Sequence, residues 1–513
     1  MDEDAQEIEL ALRVAPPDAE RLLASPELAA MRRGPARRMR LISTYYDTPD
    51  ESLKRAGAVL RVRRGKGRRA EQTLKTAPPP GGPAIARGEW TRSLRATAPD
   101  LGGAAERAAL AAIGLGPEIA AELRPVYVTA FERVAVPIAV DGARLELAVD
   151  RGEIRVGAST LPICDLEIEL VEGKVADVYA AALRLMTAVP LALQPLAKSA
   201  RAQTLRAGPP QPMRAERPRL ARRADIGPAF RGILHVCLAQ LRANAAAIEG
   251  GDDPLAVHQF RVALRRVRSA FSAFAGVMPA AERRRFAAGL RAVARRTDAA
   301  RELDVFATEI LPALRRRLGD AQALDALDEV VARARATARE RVRALLRGPD
   351  FARTVLRLEA WIEGDGWRQA AGDAFDRPAR GYARDMLRRL HRKLLRDGRR
   401  LDELDMPALH RVRLRAKKLR YAAEFFRDLF PGGGARDYLA QMAAVQDRLG
   451  AINDSVTIRA LLARLARTRT RDRAGVERAA ALVLGWCAAR EQAELETLPR
   501  AWRGFAGRKP FWA

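Results

Sequence analysis

The sequence predicts two folds in succession: an α+β domain built on antiparallel strands, then an all-α domain. Three observations carry this reading. Charged and apolar residues alternate with period two in short segments along roughly the first 200 residues. Ala/Leu/Arg-rich segments with helical spacing fill the chain beyond residue 221. Between them "RAGPPQPMRAERPRL", residues 206–220, is Pro-rich and polar and reads as a linker. The expected division is a first domain over 1–207, a linker over 208–221, and a helical domain over 222–513. The last would hold two repeats, about 222–370 and 371–513.

The 513 residues suffice for two or more domains with substantial cores. Hydrophobic residues make up 48% and aromatics only 5%, so the apolar content is mostly Ala, Leu and Val, a mix that favours helices. A net charge of +28 draws polyanions: nucleic acid, anionic membrane or polyphosphate. Cys164, Cys237 and Cys487 stand far apart without a CxxC, which argues against a disulfide framework and a zinc knuckle. The opening "MDEDAQEIEL" is acidic, unlike a signal peptide. No uncharged apolar run approaches the roughly 18 residues of a membrane span, so the expected location is cytoplasmic, with no membrane partner.

The strands come first. "EIELALRV", "AVLRVRRG", "EQTLKT", "YVTAFERVAVPI", "RLELAVDRGEI" and "DLEIELVEG" alternate, interrupted by helical stretches such as "DAERLLASPELAAM" and "KVADVYAAALRLMTAV". Glu7 and Glu9 share one face of the first segment, with Ile8, Leu10 and Leu12 on the other. Glu167 and Glu169 repeat the pattern, Arg61 and Arg63 share a face of "LRVRR", and Lys75, Arg87, Glu89 and Arg133 lie in neighbouring segments. Alternation alone is met by a sheet with a solvated charged face. It is also met by a closed barrel whose charged faces line a polar tunnel. In the second arrangement paired carboxylates suit a hard divalent cation, and arginines and lysines opposite them suit phosphate oxygens.

The order and spacing of "EIELALRV", "YYDTPDESLKRAGAVLRVRRG", "EQTLKT", "RGEW", "LAVDRGEI", "DLEIELVEG" and "LAKSAR" resemble the CYTH family, the triphosphate tunnel metalloenzymes, over about residues 7–206. The resemblance implies an eight-stranded antiparallel β-tunnel with flanking helices that hydrolyses a triphosphate with Mg2+ or Mn2+. It implies that Glu7, Glu9, Glu167 and Glu169, with Asp150, hold the metal. It further implies that Arg61, Arg63, Lys75, Arg87, Arg133 and Lys198 bind the triphosphate, Lys198 also serving the chemistry. The chain departs from the family's ExExK signature, since Ala11 stands at the Lys position. Arg13, on the same strand face, is the candidate to recover part of that contact.

In the helical half, "VHQFRVALRRVRSAF" and "LHRVRLRAKKLRYAAEFF" are two copies of one helix. Phe260, Leu264, Val267, Phe271 and Phe274 form an apolar stripe, repeated by Val412, Ala416, Leu419, Ala423 and Phe426. His258, Arg261, Arg265 and Arg268 form a basic stripe, repeated by His410, Arg413, Lys417 and Arg420. Glu302 follows His258, and Asp454 follows His410, at one and the same interval, so a four-helix unit is duplicated. A basic stripe can be a solvated helix face. A polyanion lying along it would relieve its internal repulsion. Neither helix has the spacing of a metal site. This half resembles the CHAD family, which implies two pseudo-symmetric four-helix bundles whose basic surface binds inorganic polyphosphate.

Two functions therefore stand for the chain. The first is a triphosphatase acting on inorganic triphosphate or another triphosphate, joined to a polyphosphate-binding domain that would draw it to polyphosphate granules. The alternative, raised by Ala11, is a polyphosphate-binding, granule-associated protein with a weak or silent tunnel. Nucleic acid would bind only non-specifically, because the stripes lack interleaved aromatics and no recognition motif is present.

Overall fold

A computed structural model describes residues 6–64, 70–77, 82–318, 322–369 and 371–513. The first five residues of the acidic opening, the end of the "RLGD" turn and position 370 at the expected repeat boundary lie outside them. The chain forms two compact units. One comprises the residues up to Gln211 with Ala245–Gly251 and Leu346–Gly366; the other comprises Pro212–Asn244, Asp252–Leu345 and Trp367–Ala513.

In the first unit the strands are β1 Gln6–Arg13, β2 Arg37–Asp47, β3 Val59–Arg64, β4 Ala70–Lys75, β5 Ala86–Leu94, β6 Arg124–Val140, β7 Ala143–Val156, β8 Ser159–Glu172 and the two-residue β9 Ala192–Leu193. They run in the order β5-β4-β3-β2-β6-β7-β8-β1-β9, all antiparallel, and β5 also pairs with β1. Eight strands thus close an antiparallel barrel, as the alternation reading with an enclosed charged face requires. β1 makes the closure by changing partner midway: Gln6–Ile8 pair with β5 and Glu9–Arg13 with β8.

The barrel is turned inside out relative to an ordinary half-buried sheet. Leu10, Leu12, Leu147, Leu166 and Ile168 point outward yet are at most 1% exposed. Helices cover them, chiefly Val175–Leu185, itself packed against helix Pro349–Glu363 of the same unit. That late helix joins the barrel unit because its apolar face, including Phe351, Val355 and Ile362, is buried. "DAERLLASPELAAM" forms two helices, Pro16–Leu23 and Pro26–Met31, where one continuous stretch was expected. The cause is local: Pro26 disfavours a helical Ser25, whose hydroxyl instead caps the second helix through Leu28 N.

The second unit is helical. Its first copy runs Ile226–Gly250, Pro254–Ala273, then Ala280–Arg296 with Asp298–Val305 and Leu311–Leu318, then Asp325–Leu346. Its second runs Ala379–Asp397, Met406–Phe426, Gly434–Leu465 and Arg473–Ala506. The third helix, unbroken in the second copy, is interrupted in the first at Thr297 and by a wider turn over Phe306–Ile310. Both histidine helices begin alike. Asp253 caps through Leu255 N and Asp405 through Ala408 N, each at 2.8 Å, followed at once by a proline in the first turn. Their apolar stripes are buried: Phe260, Leu264, Val267, Phe271, Val412, Ala416, Leu419 and Phe426 are all at most 1% exposed. No helix among the described residues is long and apolar enough to cross a membrane.

Candidate active site and cationic helix pair

Register decides which side chains meet inside the barrel. Glu7 lies opposite Arg87, Lys75 opposite Glu89, Glu9 opposite Glu169, Glu167 opposite Ala148, Asp150 opposite both Arg133 and Asp165. Alternate residues of all these strands therefore share the interior face. Carboxylate oxygens of Glu7, Glu9 and Glu169 lie within 4.8 Å of one another. Burial, with Glu9 beside it, pushes Glu7 up to about 8. Burial and Glu9 likewise raise Glu169. Three crowded carboxylates with little water are an environment that favours a cation.

Two cations of the protein partly answer that demand. Lys75 Nζ donates to both Glu7 oxygens at 2.7 Å and reaches Glu89 at 3.0 Å. Burial opposes the Glu89 charge, but Lys75 and hydrogen bonds from Glu7 and Lys75 hold it down at about 2. Arg87 bridges Glu7 through Nε and Glu9 through Nη2, each at 3.0 Å.

Glu167 and Asp150 belong to an adjoining network and stand outside the close trio. Arg133 grips Asp150 with two hydrogen bonds of 2.7 Å and also donates to Glu167. Lys198, from helix Lys198–Ala207, reaches Asp150 at 2.8 Å and Glu167. Burial works against the Glu167 charge, yet Lys198 and Arg133 hold it well below the usual range. Asp165, not foreseen from the sequence, joins through Arg201. The repeated acid-apolar alternation in "CDLEIEL" was the signal that could have found it.

Arg61 and Arg63 are different. Arg61 Nη2 meets the Thr73 hydroxyl at 3.0 Å, the Tyr45 hydroxyl also acts on its guanidinium, and its buried Nε has no partner. Arg63 meets the Ser43 hydroxyl at 3.4 Å, with Glu71 no nearer than 3.7 Å. Burial, then Arg61 and Arg133, lower Arg63 to about 10. Beyond them the interior becomes aromatic: Tyr45 stacks on Tyr127 at 4.4 Å, and both pack with Phe131, Ile154, Ile163 and Ala202.

Arg13 does not fill the place left by Ala11. Its guanidinium pairs with Glu249 at 2.7 Å and reaches Gln194 at 3.4 Å, which in turn donates to Asp165. Those partners draw it toward the Asp165 end, away from Lys75 and the carboxylate trio.

In the helical unit the two histidine helices pack against each other, bringing their basic stripes together. Lys417 is driven down to about 7 by burial and by Arg265 and Arg413, with Asp454 the acid that opposes them. Burial and then Arg301 and Arg265 push His258 down to about 4. Arg268 is lowered by burial and by Arg291 and Arg265. Arg261 and Arg420 are partly neutralised, by Asp298 at 2.6 Å and Glu424 at 2.8 Å. The copies diverge around their histidines. His410 Nδ1 lies 2.8 Å from Asn453 Oδ1, whereas Arg301 occupies the corresponding interval after His258. The acids differ too: Asp454 faces Arg413, while Glu302 pairs with Arg464 at 2.5 Å.

Family models match in the same order as the two units: a CYTH domain over residues 5–201 and a CHAD domain over 232–463. The CHAD domain from the plant Ricinus communis is 30% identical, with 58% of this chain and 98% of that chain aligned and a TM-score of 0.51. Two weaker likenesses are an adenylate cyclase-like protein of Bacillus halodurans and a Hippeastrum protein described as an adenylyl cyclase with dominant triphosphatase activity. The first is 17% identical over 35% of this chain and 88% of its own, TM-score 0.24. The second is 20% identical over 39% and 95%, TM-score 0.29. The chain therefore belongs to the CHAD family by its helical half, and carries ahead of it a CYTH domain, the fold of triphosphate tunnel metalloenzymes that work with divalent metals.

Proposed function

We propose that the tunnel hydrolyses a triphosphate, inorganic triphosphate foremost, to pyrophosphate and phosphate, and that the paired basic helices bind inorganic polyphosphate. One observation supports the first half: the Glu7, Glu9 and Glu169 oxygens gather on the interior face of the closed barrel, which also carries Arg61, a cation with no carboxylate partner. The donor set fits Mg2+ or Mn2+, being three hard oxygen ligands gathered where burial, and then Glu9, raises Glu7. Such an ion supplies charge neutralisation of phosphate oxygens and an activated water when bound.

The protein's own groups divide the remaining work. Arg61, with its orphaned Nε, can take phosphate oxygens without first breaking an ion pair, and Arg63 gives up only the long 3.7 Å contact to Glu71. Lys75 and Arg87 now satisfy Glu7 and Glu9, and are freed to bind phosphate once those carboxylates take another partner. Arg133 and Lys198 keep Glu167 ionised and, by hydrogen-bonding Asp150 against the burial that raises it, hold the far wall. Such fixed charges in a site shielded from water act on the terminal phosphoryl group with little reorganisation. On this reading the protein acts in the cytoplasm, held at polyphosphate granules by its helical half.

The second reading, a binding protein with a weakened tunnel, is favoured by one observation: Arg13 is engaged by Glu249 and Gln194 and does not replace the missing signature lysine. Phosphate release by purified protein with Mg2+ or Mn2+ decides between them, with triphosphate, ATP, thiamine triphosphate and long-chain polyphosphate compared. Metal-dependent turnover of triphosphate supports hydrolysis. No release from any of the four, with polyphosphate still bound, leaves the binding protein.

A further inference from the structure

We infer a second phosphate site in the helical unit, on helix Ala379–Asp397, that shares no residue with either histidine stripe. It is a cleft of about 530 Å³ whose lining includes Arg388, Arg389, Arg392 and Trp512. None of the three arginines makes a hydrogen bond or ion pair with a described residue; Asp385 and the α-carboxylate of Ala513 are the acidic groups in the lining, fewer than the three guanidiniums. Three unpaired guanidiniums within one helical turn repel each other, and an anion is what removes that repulsion.

The internal duplication acts as a control on whether the fold needs these cations. "LHVCL", with His235, and "LHRKL", with His391, occupy corresponding places in the first helix of each copy. Arg388, Arg389 and Arg392 then correspond to Gly232, Ile233 and Val236. The first copy builds the same helix with no positive charge at those positions. The arginines are an addition peculiar to the second copy.

The floor beneath them is rigid. His391 Nδ1 lies 2.8 Å from the Tyr438 hydroxyl, and both rings pack edge-on against Trp512. Arg384 donates to the Trp512 carbonyl at 3.2 Å, tying the segment to the helix. Trp512 is 1% exposed, so it offers no face for a nucleobase to stack on. Planar forks without a stacking platform select an inorganic phosphate anion over a nucleotide. Arg388 and Arg392, at i and i+4, with Arg389 beside them, suit a compact anion of two or three phosphates.

The test is local chemical protection in the full chain. Phenylglyoxal modification of Arg388, Arg389 and Arg392 is followed by peptide mass spectrometry without anion, and with pyrophosphate, long-chain polyphosphate, or sulfate at equal ionic strength. The expected result is several-fold slower modification with pyrophosphate, none with sulfate, and the same protection in an Arg265→Gln/Lys417→Gln protein. That last arm separates this site from the stripes, so failure of stripe binding would leave it standing. Equal rates with and without pyrophosphate would overturn it, as would equal protection by sulfate. Protection by long-chain polyphosphate alone, or loss of protection in the stripe variant, would reduce the cleft to a stretch of the stripes' own track and overturn it likewise.

Discussion

Lys417 and Arg265 stand on the two packed copies of the histidine helix within electrostatic reach of each other, and burial together with that guanidinium drives the lysine to about 7. A bound polyanion favours the charged amine, so binding takes up a proton where free Lys417 is neutral. Polyphosphate affinity should therefore fall as pH rises from about 7 toward about 9, by at most about tenfold per unit for one proton. His258, down at about 4, is neutral throughout that window and contributes nothing to the slope. Arginine remains charged there, so Lys417→Arg should flatten the profile. A native profile already flat at constant salt would remove Lys417 from the polyphosphate surface.

Charge reversal of the same pair tests the stripe as a whole. Arg265→Glu with Lys417→Glu should weaken polyphosphate binding strongly. It should also reduce the slope of log affinity against log salt, since each phosphate contact contributes a slope of about one in comparable polyanion complexes. Direct titration at several salt concentrations reads both quantities. Unchanged affinity would make the stripe a solvated face.

In the tunnel, Glu9→Ala opens the carboxylate trio. Metal-stimulated phosphate release should fall to background while urea unfolding without metal shows a folded protein. Native protein should also be more stable with Mn2+ than without, by about 2.7 kcal/mol of linkage at a hundredfold excess over Kd, read as an upward shift of the melting temperature. The variant should lose most of that shift. An equal Mn2+ shift in both proteins would take Glu9 out of the metal site.

Asp150 is wholly buried and satisfied by Arg133 and Lys198. Asp150→Asn keeps the shape but leaves two buried cations sharing Glu167. Removing one partner of such a network costs about 3–5 kcal/mol, to be read from urea unfolding. A change under about 1 kcal/mol would mean the network is wetter than its burial indicates.

Ala11→Lys restores the missing cation on the interior face of β1, opposite Glu167. If the native tunnel is catalytically weakened, triphosphate turnover should rise by about 10² to 10³. No gain, in a protein whose native form is already active, would show that Arg133 and Lys198 suffice.

The alternation in "EIELALR" and "DLEIELVE" placed Glu7, Glu9, Glu167 and Glu169 on common strand faces, because side-chain direction along a strand follows from the backbone alone. β2 was harder to see. Arg37, Met39, Leu41, Ser43 and Tyr45 on one face, and Arg38, Arg40, Ile42, Thr44 and Tyr46 on the other, are both mixed. The inversion of the barrel was legible only through family resemblance, since alternation reads the same whichever face is solvated. Ion partners escaped the sequence as well. Glu167 is held by Arg133 and Lys198, not grouped with Glu169, because rotamer and strand tilt choose among several carboxylates of equal chemistry.

By itself the sequence determined the two successive folds, the order of charged and apolar faces, and the duplication of a histidine helix, since local periodicity and repetition are properties of neighbours along the chain. The tertiary structure alone decided that Glu7, Glu9 and Glu169 crowd together, that Arg13 turns to Glu249, and that Arg265 comes within electrostatic reach of Lys417. Those outcomes depend on barrel closure and helix packing, which bring together residues far apart along the chain and set the burial that raises Glu7 and lowers Lys417.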